Sequence, residues 1–135
     1  MTLLIDADWL IYSSCCACEQ DVRWNEDLHT LHADERDVHE MVDGRISHYQ
    51  NIAEGDKDVV MCYTEYPTFR HTIYPEYKAN RKHKRKPLGL GKIIEQTKER
   101  YQSESYSGLE GDDVMAVLAT SKKYPDPIIV SVDKD

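Results

Sequence analysis

Three short apolar runs, TLLIDAD at residues 2–8, DVVMCYT at 58–64 and PIIVSVDKD at 127–135, are separated by long stretches with helical spacing, and this alternation most restricts what the chain can fold into. A strand buried on both faces reads as a continuous apolar run, so each of the three reads as a strand of a parallel sheet. The intervening WLIYSSCCACEQ reads as a helix. Between about 34 and 54, Val38, Met41, Val42, Ile46, Tyr49 and Ile52 recur at spacings of three and four, which predicts an amphipathic helix with Gly55 as its C-cap. Residues 90–102 read as a helix whose start Gly89 and Gly91 loosen. Residues 109–124 read as another, with Val114, Val117 and Leu118 on one face behind an acidic first turn. Strands alternating with helices predict an α/β domain with a central, mostly parallel sheet flanked by helices. At 135 residues and 40% apolar composition the chain suits one domain over 1–135.

Ligands of such sheets sit outside the carboxyl ends of the strands. Two of the runs end in acid there, Asp6 with Asp8 and Asp133 with Asp135, while Glu110, Asp112 and Asp113 open a helix. Each has a purely structural reading: Asp112 as an N-cap, Glu110 and Asp113 as partners of the helix dipole, Asp133 and Asp135 as turn formers. Together they suggest more, because crowded carboxylates repel one another unless protons or cations neutralise them. Oxygen donors without His or Cys favour hard ions such as Mg²⁺ or Mn²⁺, and a pair of these is the usual clamp for phosphodiester hydrolysis.

The formal net charge of −8 excludes a protein that coats nucleic acid through a broad positive surface. It does not exclude one local grip. YPEYKANRKHKRKPLG, residues 74–89, places six Lys or Arg between Lys78 and Lys86, behind Tyr74 and Tyr77. A charge run is commonly a solvated face, but cations contact phosphates and a tyrosine stacks on a base, so a nucleic-acid strand is the functional reading.

Cys15, Cys16, Cys18 and Cys62 lack the paired spacing of a zinc site and read as small half-buried residues in a reducing compartment. His32 and His39, seven apart, could share a helical face, yet no acid or cysteine frames them. The opening MTLLIDADW carries neither a secretory signal nor a membrane span, which suggests a cytoplasmic protein.

IDADW, FRHTIYPEYKANR, GLEGDDV and IIVSVDKD stand in the order and spacing found in the 5′ nuclease superfamily of flap endonucleases, polymerase 5′ nuclease domains and phage 5′-to-3′ exonucleases. The exonucleases of short-tailed phages, with DxDWL, YKANRK, LEGDDVM and a terminal DKD, resemble it nearly throughout. The resemblance implies a PIN-like domain that hydrolyses DNA with two divalent ions, Mg²⁺ or Mn²⁺, at a free 5′ end or flap. It implies Asp6, Glu110, Asp112, Asp113, Asp133 and Asp135 as metal ligands, with Asp8, where many relatives have Asn, behind them. Lys78 and Arg81 are implied as the catalytic pair on the scissile phosphate. Arg70, Tyr77, Lys82, Lys84, Arg85 and Lys86 are implied as DNA contacts, and residues 82–103 as a helical arch admitting a free 5′ end. Glu65 is the acid nearest to a position where many relatives carry Asp.

Relatives continue past the equivalent of Asp135 into two further metal-binding Asp and a helix-three-turn-helix module that grips duplex DNA. The expectation is therefore a shortened piece of a longer chain, or one part of a nuclease split over two polypeptides. A non-catalytic nucleic-acid-binding or assembly subunit that keeps the fold, and a PIN-type ribonuclease, are the alternatives.

Overall fold

The computed structural model describes residues 1–53, 58–78 and 85–132. Its centre is a four-stranded sheet of β1 (Thr2–Asp6), β4 (Asp58–Cys62), β5 (Ser103–Glu104) and β6 (Pro127–Val130), in the order β5-β4-β1-β6. Every pairing within it is parallel, with Leu4 opposite both Val60 and Ile129. The expected parallel α/β sheet is present.

The two faces of the sheet follow from the two-residue period of a strand. Leu3, Ile5 and Met61 face one side and are buried against Leu10, Ile11 and Cys15 of α1 (Ala7–Cys18), Val38, Val42 and Ile46 of α2 (Glu35–Ile52), and Ile93 of α4 (Leu90–Arg100). Leu4, Val60 and Cys62 face the other side and meet Val114, Met115 and Leu118 of α5 (Gly111–Thr120). The result is helix, sheet, helix. No helix among the described residues is long and apolar enough to cross a membrane.

Several boundaries differ from expectation. The first helix stops at Cys18 with Glu19 as C-cap, and Gln20–Arg23 (β2) turns back to pair antiparallel with His29–His32 (β3). His32 therefore lies in a strand, whereas His39 lies in α2 and meets Gln96 Oε1 through Nε2 at 2.7 Å. In α2, Asp34 caps the start by accepting from the Arg36 N–H at 2.9 Å. Val38, Val42 and Ile46 are its buried stripe, Ile52 is exposed, Ala53 takes the C-cap, and Gly55 lies outside the described residues.

The last helix is shorter than 109–124, ending at Thr120, because Lys122 takes left-handed backbone with φ of 63°. Its buried face is Val114, Met115 and Leu118; Val117 points outward. Of the segment 82–103, residues 90–100 form α4, and Gly89 supplies its left-handed N-cap at φ 70°. Ile93 and Thr97 of α4 are buried, and Arg100 and Tyr101 both donate to Asp43 of α2. This helix is part of the body of the domain.

Candidate functional site

The carboxyl ends of β1 and β4 and the start of α5 converge on a cleft of about 600 Å³. Asp6, Asp8, Glu110 and Asp112 bring carboxylates to it from two separate segments, and Lys78 and Lys86 bring cations. Trp9, Tyr12 and Tyr66 add aromatic surface, with Leu90 and Ile94 of α4 behind.

Local chemistry fixes the acids. Asp6 ends β1 and caps α1, its Oδ1 accepting from the Trp9 N–H at 3.5 Å. Asp8 Oδ2 accepts from the Thr64 N–H at 2.7 Å, and Thr64 Oγ1 accepts from the Gly111 N–H at 2.9 Å. These bonds stitch α1, the end of β4 and the start of α5 together. Burial raises the Asp8 carboxyl above its ordinary 3.8, with the Thr64 bonds opposing it. A Cβ built on Gly111 would lie 3.5 Å from Asp8 Oδ2 and 3.6 Å from Asp6 Oδ1, so the missing side chain leaves room between the carboxylates and the helix start.

The helix start is also braced from outside. α3 (Phe69–Ile73), a short element that apolar spacing did not announce, carries Arg70. Its Nη1 and Nη2 meet Asp113 Oδ2 at 2.6 Å and Oδ1 at 3.0 Å, and Nη1 also reaches Glu110 Oε2 at 3.2 Å. Asp113 Oδ2 further accepts from the Glu110 N–H at 3.1 Å. Arg70 holds the Asp113 carboxyl below its ordinary 3.8.

Lys78 Nζ donates to Glu110 Oε1 at 3.3 Å and lies 5.1 Å from the Tyr77 ring centre. Its backbone is left-handed, φ 55°, which for a residue other than glycine costs about 1–3 kcal/mol and persists only where the surroundings impose it. Burial alone would lower the Lys78 ammonium, yet its bonds to Tyr77 and Glu110 raise it, so it stays charged.

Of the residues expected at the site, Asp6, Asp8, Glu110, Asp112, Lys78 and Lys86 line this one cleft. Asp113 and Arg70 pair beside it, with both Asp113 oxygens taken. Tyr77 packs edge-on against His71, ring centres 5.5 Å apart. Arg85 pairs with Glu19 at 2.9 Å, and Glu65 is exposed, its N–H donating to Leu109 O. Arg81, Lys82, Lys84, Asp133 and Asp135 lie outside the described residues. Tyr12, Tyr66, Thr64 and Glu19 were not anticipated. Tyr12 had a signal, lying three residues beyond Trp9 on one helical face, but Glu19 had none, since its partner is 66 residues away.

The cleft donors are all oxygen, the kind that suits Mg²⁺ or Mn²⁺. Among the described residues, however, no three His, Cys, Asp or Glu side chains group closely enough to hold an ion. Glu110 is drawn to Arg70 and Lys78, and Asp113 to Arg70. The donor chemistry of the cleft fits such a cation.

The family model described as 5′-3′ exonuclease, N-terminal resolvase-like domain, matches residues 1–135. The chain is 30% identical over 141 residues to the exodeoxyribonuclease of Enterobacteria phage T3 and, equally, to the exonuclease of Escherichia phage T7, covering 98% of itself and 47% of each relative. It is 39% identical over 71 residues to the flap endonuclease Xni of Shewanella oneidensis, covering 50% of itself and 27% of that protein. The chain thus spans about half the length of the phage relatives. No solved structure matches. With its parallel sheet, and with acids and lysines meeting at the carboxyl end of that sheet, the chain belongs to the family of 5′-3′ exonuclease N-terminal, resolvase-like domains.

Proposed function

We propose that this chain carries the catalytic cleft of a divalent-metal-dependent nuclease that hydrolyses DNA phosphodiester bonds at or near a free 5′ end. One observation carries the reading: four carboxylates and two lysines share a single cleft at the carboxyl end of the sheet. Asp6 and Asp112, joined by Asp133 and Asp135, would hold two Mg²⁺ or Mn²⁺ ions, with Asp8 behind them. Bound there, such ions supply Lewis acidity and an activated water.

The protein's own groups do the rest. Lys78, kept charged and placed by Glu110, offsets charge on the phosphate, and Arg81 is the second cation we assign to that role. Lys86 neutralises a neighbouring phosphate, and the aromatic wall of Trp9, Tyr12 and Tyr66 offers flat apolar surface to a base. Arg70 and Asp113 hold the start of α5.

The test is cleavage of a 5′-labelled duplex or flap in Mg²⁺ or Mn²⁺, by the parent and by Asp112→Asn, with RNA of matching structure in parallel. Cleavage of DNA that Asp112→Asn abolishes supports the reading. The assay is repeated with a polypeptide covering the rest of the relatives' length added. Nucleic-acid binding without cleavage under all of these conditions would identify a non-catalytic binding subunit instead.

A further inference from the structure

The cations of the basic run are not equivalent, and a residue outside that run sorts them. Glu19, the C-cap of α1, keeps its side chain only 8% exposed. Its Oε1 accepts from Arg85 Nη1 at 3.1 Å and from the Leu88 N–H at 3.1 Å, and its Oε2 accepts from Arg85 Nη2 at 2.9 Å. Arg85 Nη1 also donates to the Lys86 carbonyl at 3.2 Å. One carboxylate therefore grips the chain on both sides of Lys86. Pro87, which is buried, restricts Lys86 further to extended backbone. The Arg85 pair holds the Glu19 carboxyl below its ordinary 4.5, so Glu19 is ionised wherever the site works.

The consequence is a division of labour. Arg85 spends its guanidinium fork on a carboxylate of its own chain, a bidentate arrangement that satisfies both oxygens. Lys86 lines the cleft, and among the described residues no carboxylate pairs with its ammonium. We propose that Glu19 is a positioning residue for the cleft, bracketing residues 85–88 so that Lys86, and not Arg85, meets a phosphate of the bound strand. This rests on the strand-binding half of the function proposed above and names which cation performs it.

Salt dependence separates the two cations. Each phosphate neutralised on a single strand contributes about −0.7 to the slope of log K against log[salt]. Binding of a 5′-labelled single-stranded deoxyoligonucleotide is followed by anisotropy between about 50 and 200 mM salt, in EDTA so that nothing is cleaved. Lys86→Ala should flatten the slope by about 0.7, whereas Arg85→Ala should leave it as in the parent. Glu19→Ala frees Arg85 and should steepen the slope by about 0.7, and Glu19→Ala/Arg85→Ala should return it to the parental value.

In a cleavage assay, Glu19→Ala should lower kcat by about tenfold without raising KM, because binding persists while placement is lost. Flattening by Arg85→Ala equal to that of Lys86→Ala would overturn the proposal, as would an unchanged slope for Glu19→Ala. Should Glu19→Ala melt out, the Arg85→Ala and Lys86→Ala pair still decides, both side chains being exposed. The expected slopes in a parent that never cleaves would keep the bracket and remove the nuclease. A parent that binds no oligonucleotide removes both.

Discussion

Replacing Arg70 by Met keeps the length of the side chain and removes its charge, which isolates what the guanidinium does. Three hydrogen bonds to two carboxylates are lost, and Glu110 and Asp113 are left facing each other with Lys78 on one side only. The Arg70 side chain is 33% exposed, that of Asp113 24% and that of Glu110 14%. The cost therefore falls between that of an exposed pair, about 0–1 kcal/mol, and the removal of one partner from a buried pair, about 3–5 kcal/mol. We expect about 2 kcal/mol, which for a domain of this size lowers Tm by about 6–8 °C. Asp113→Asn should cost about half as much, and the double variant little more than Arg70→Met alone, a coupling of about 1 kcal/mol. Thermal melts by circular dichroism measure all three. If Arg70→Met melts within the roughly 0.5 kcal/mol spread of ordinary surface substitutions while binding DNA more weakly, Arg70 is a nucleic-acid contact and the bracing argument fails.

Ile93→Ala, which truncates a side chain 2% exposed on α4, should destabilise by about 2–4 kcal/mol in urea titrations; a cost near zero would mean that α4 does not belong to the core. Gly111→Ala places a methyl at ordinary contact distance from the Asp6 and Asp8 oxygens, so stability should hold or rise by at most about 1 kcal/mol, while Mn²⁺ binding followed by calorimetry weakens. Glu104 accepts from Lys123 Nζ and Tyr124 Oη, both at 2.7 Å, and the Lys123 bond lowers its carboxyl below 4.5. A depressed carboxyl stabilises above its unfolded value and loses that stabilisation as pH falls through its folded one. The gap in urea midpoint between parent and Glu104→Gln should therefore be full at pH 7 and close below about pH 4.5.

The sheet was legible in the sequence because its two central strands, β1 and β4, are largely buried on both faces, so TLLID and DVVMC cannot hide their character. The hairpin of β2 and β3 was not, since both strands are largely exposed and carry Asp21, Arg23, His29 and His32 where an apolar period would have shown. β5 is two residues long and α3 five, below the length at which any period can be read. At the site, the converging acids followed from where strands end in a parallel sheet. The sorting of cations did not. The resemblance implied Arg70 and Arg85 as DNA contacts, and only the fold shows that Asp113, 43 residues from the first, and Glu19, 66 residues from the second, lie within hydrogen-bond reach of them.

That sorting bears on how the acidic site balances its charge. Lys78 stands 3.3 Å from Glu110, and two unit charges at that distance attract by about 1.3 kcal/mol even at the dielectric of water. The same attraction opposes any cation that would recruit Glu110, because the incoming ion has to displace the ammonium. Lys78→Met should thus bind Mn²⁺ more tightly, by up to about tenfold, while losing the charge that offsets the phosphate. Calorimetry with Mn²⁺ in the absence of DNA tests this independently of turnover. An affinity equal to or weaker than that of the parent would mean that Glu110 never turns toward the ion, leaving it a brace for Arg70 and Lys78 alone.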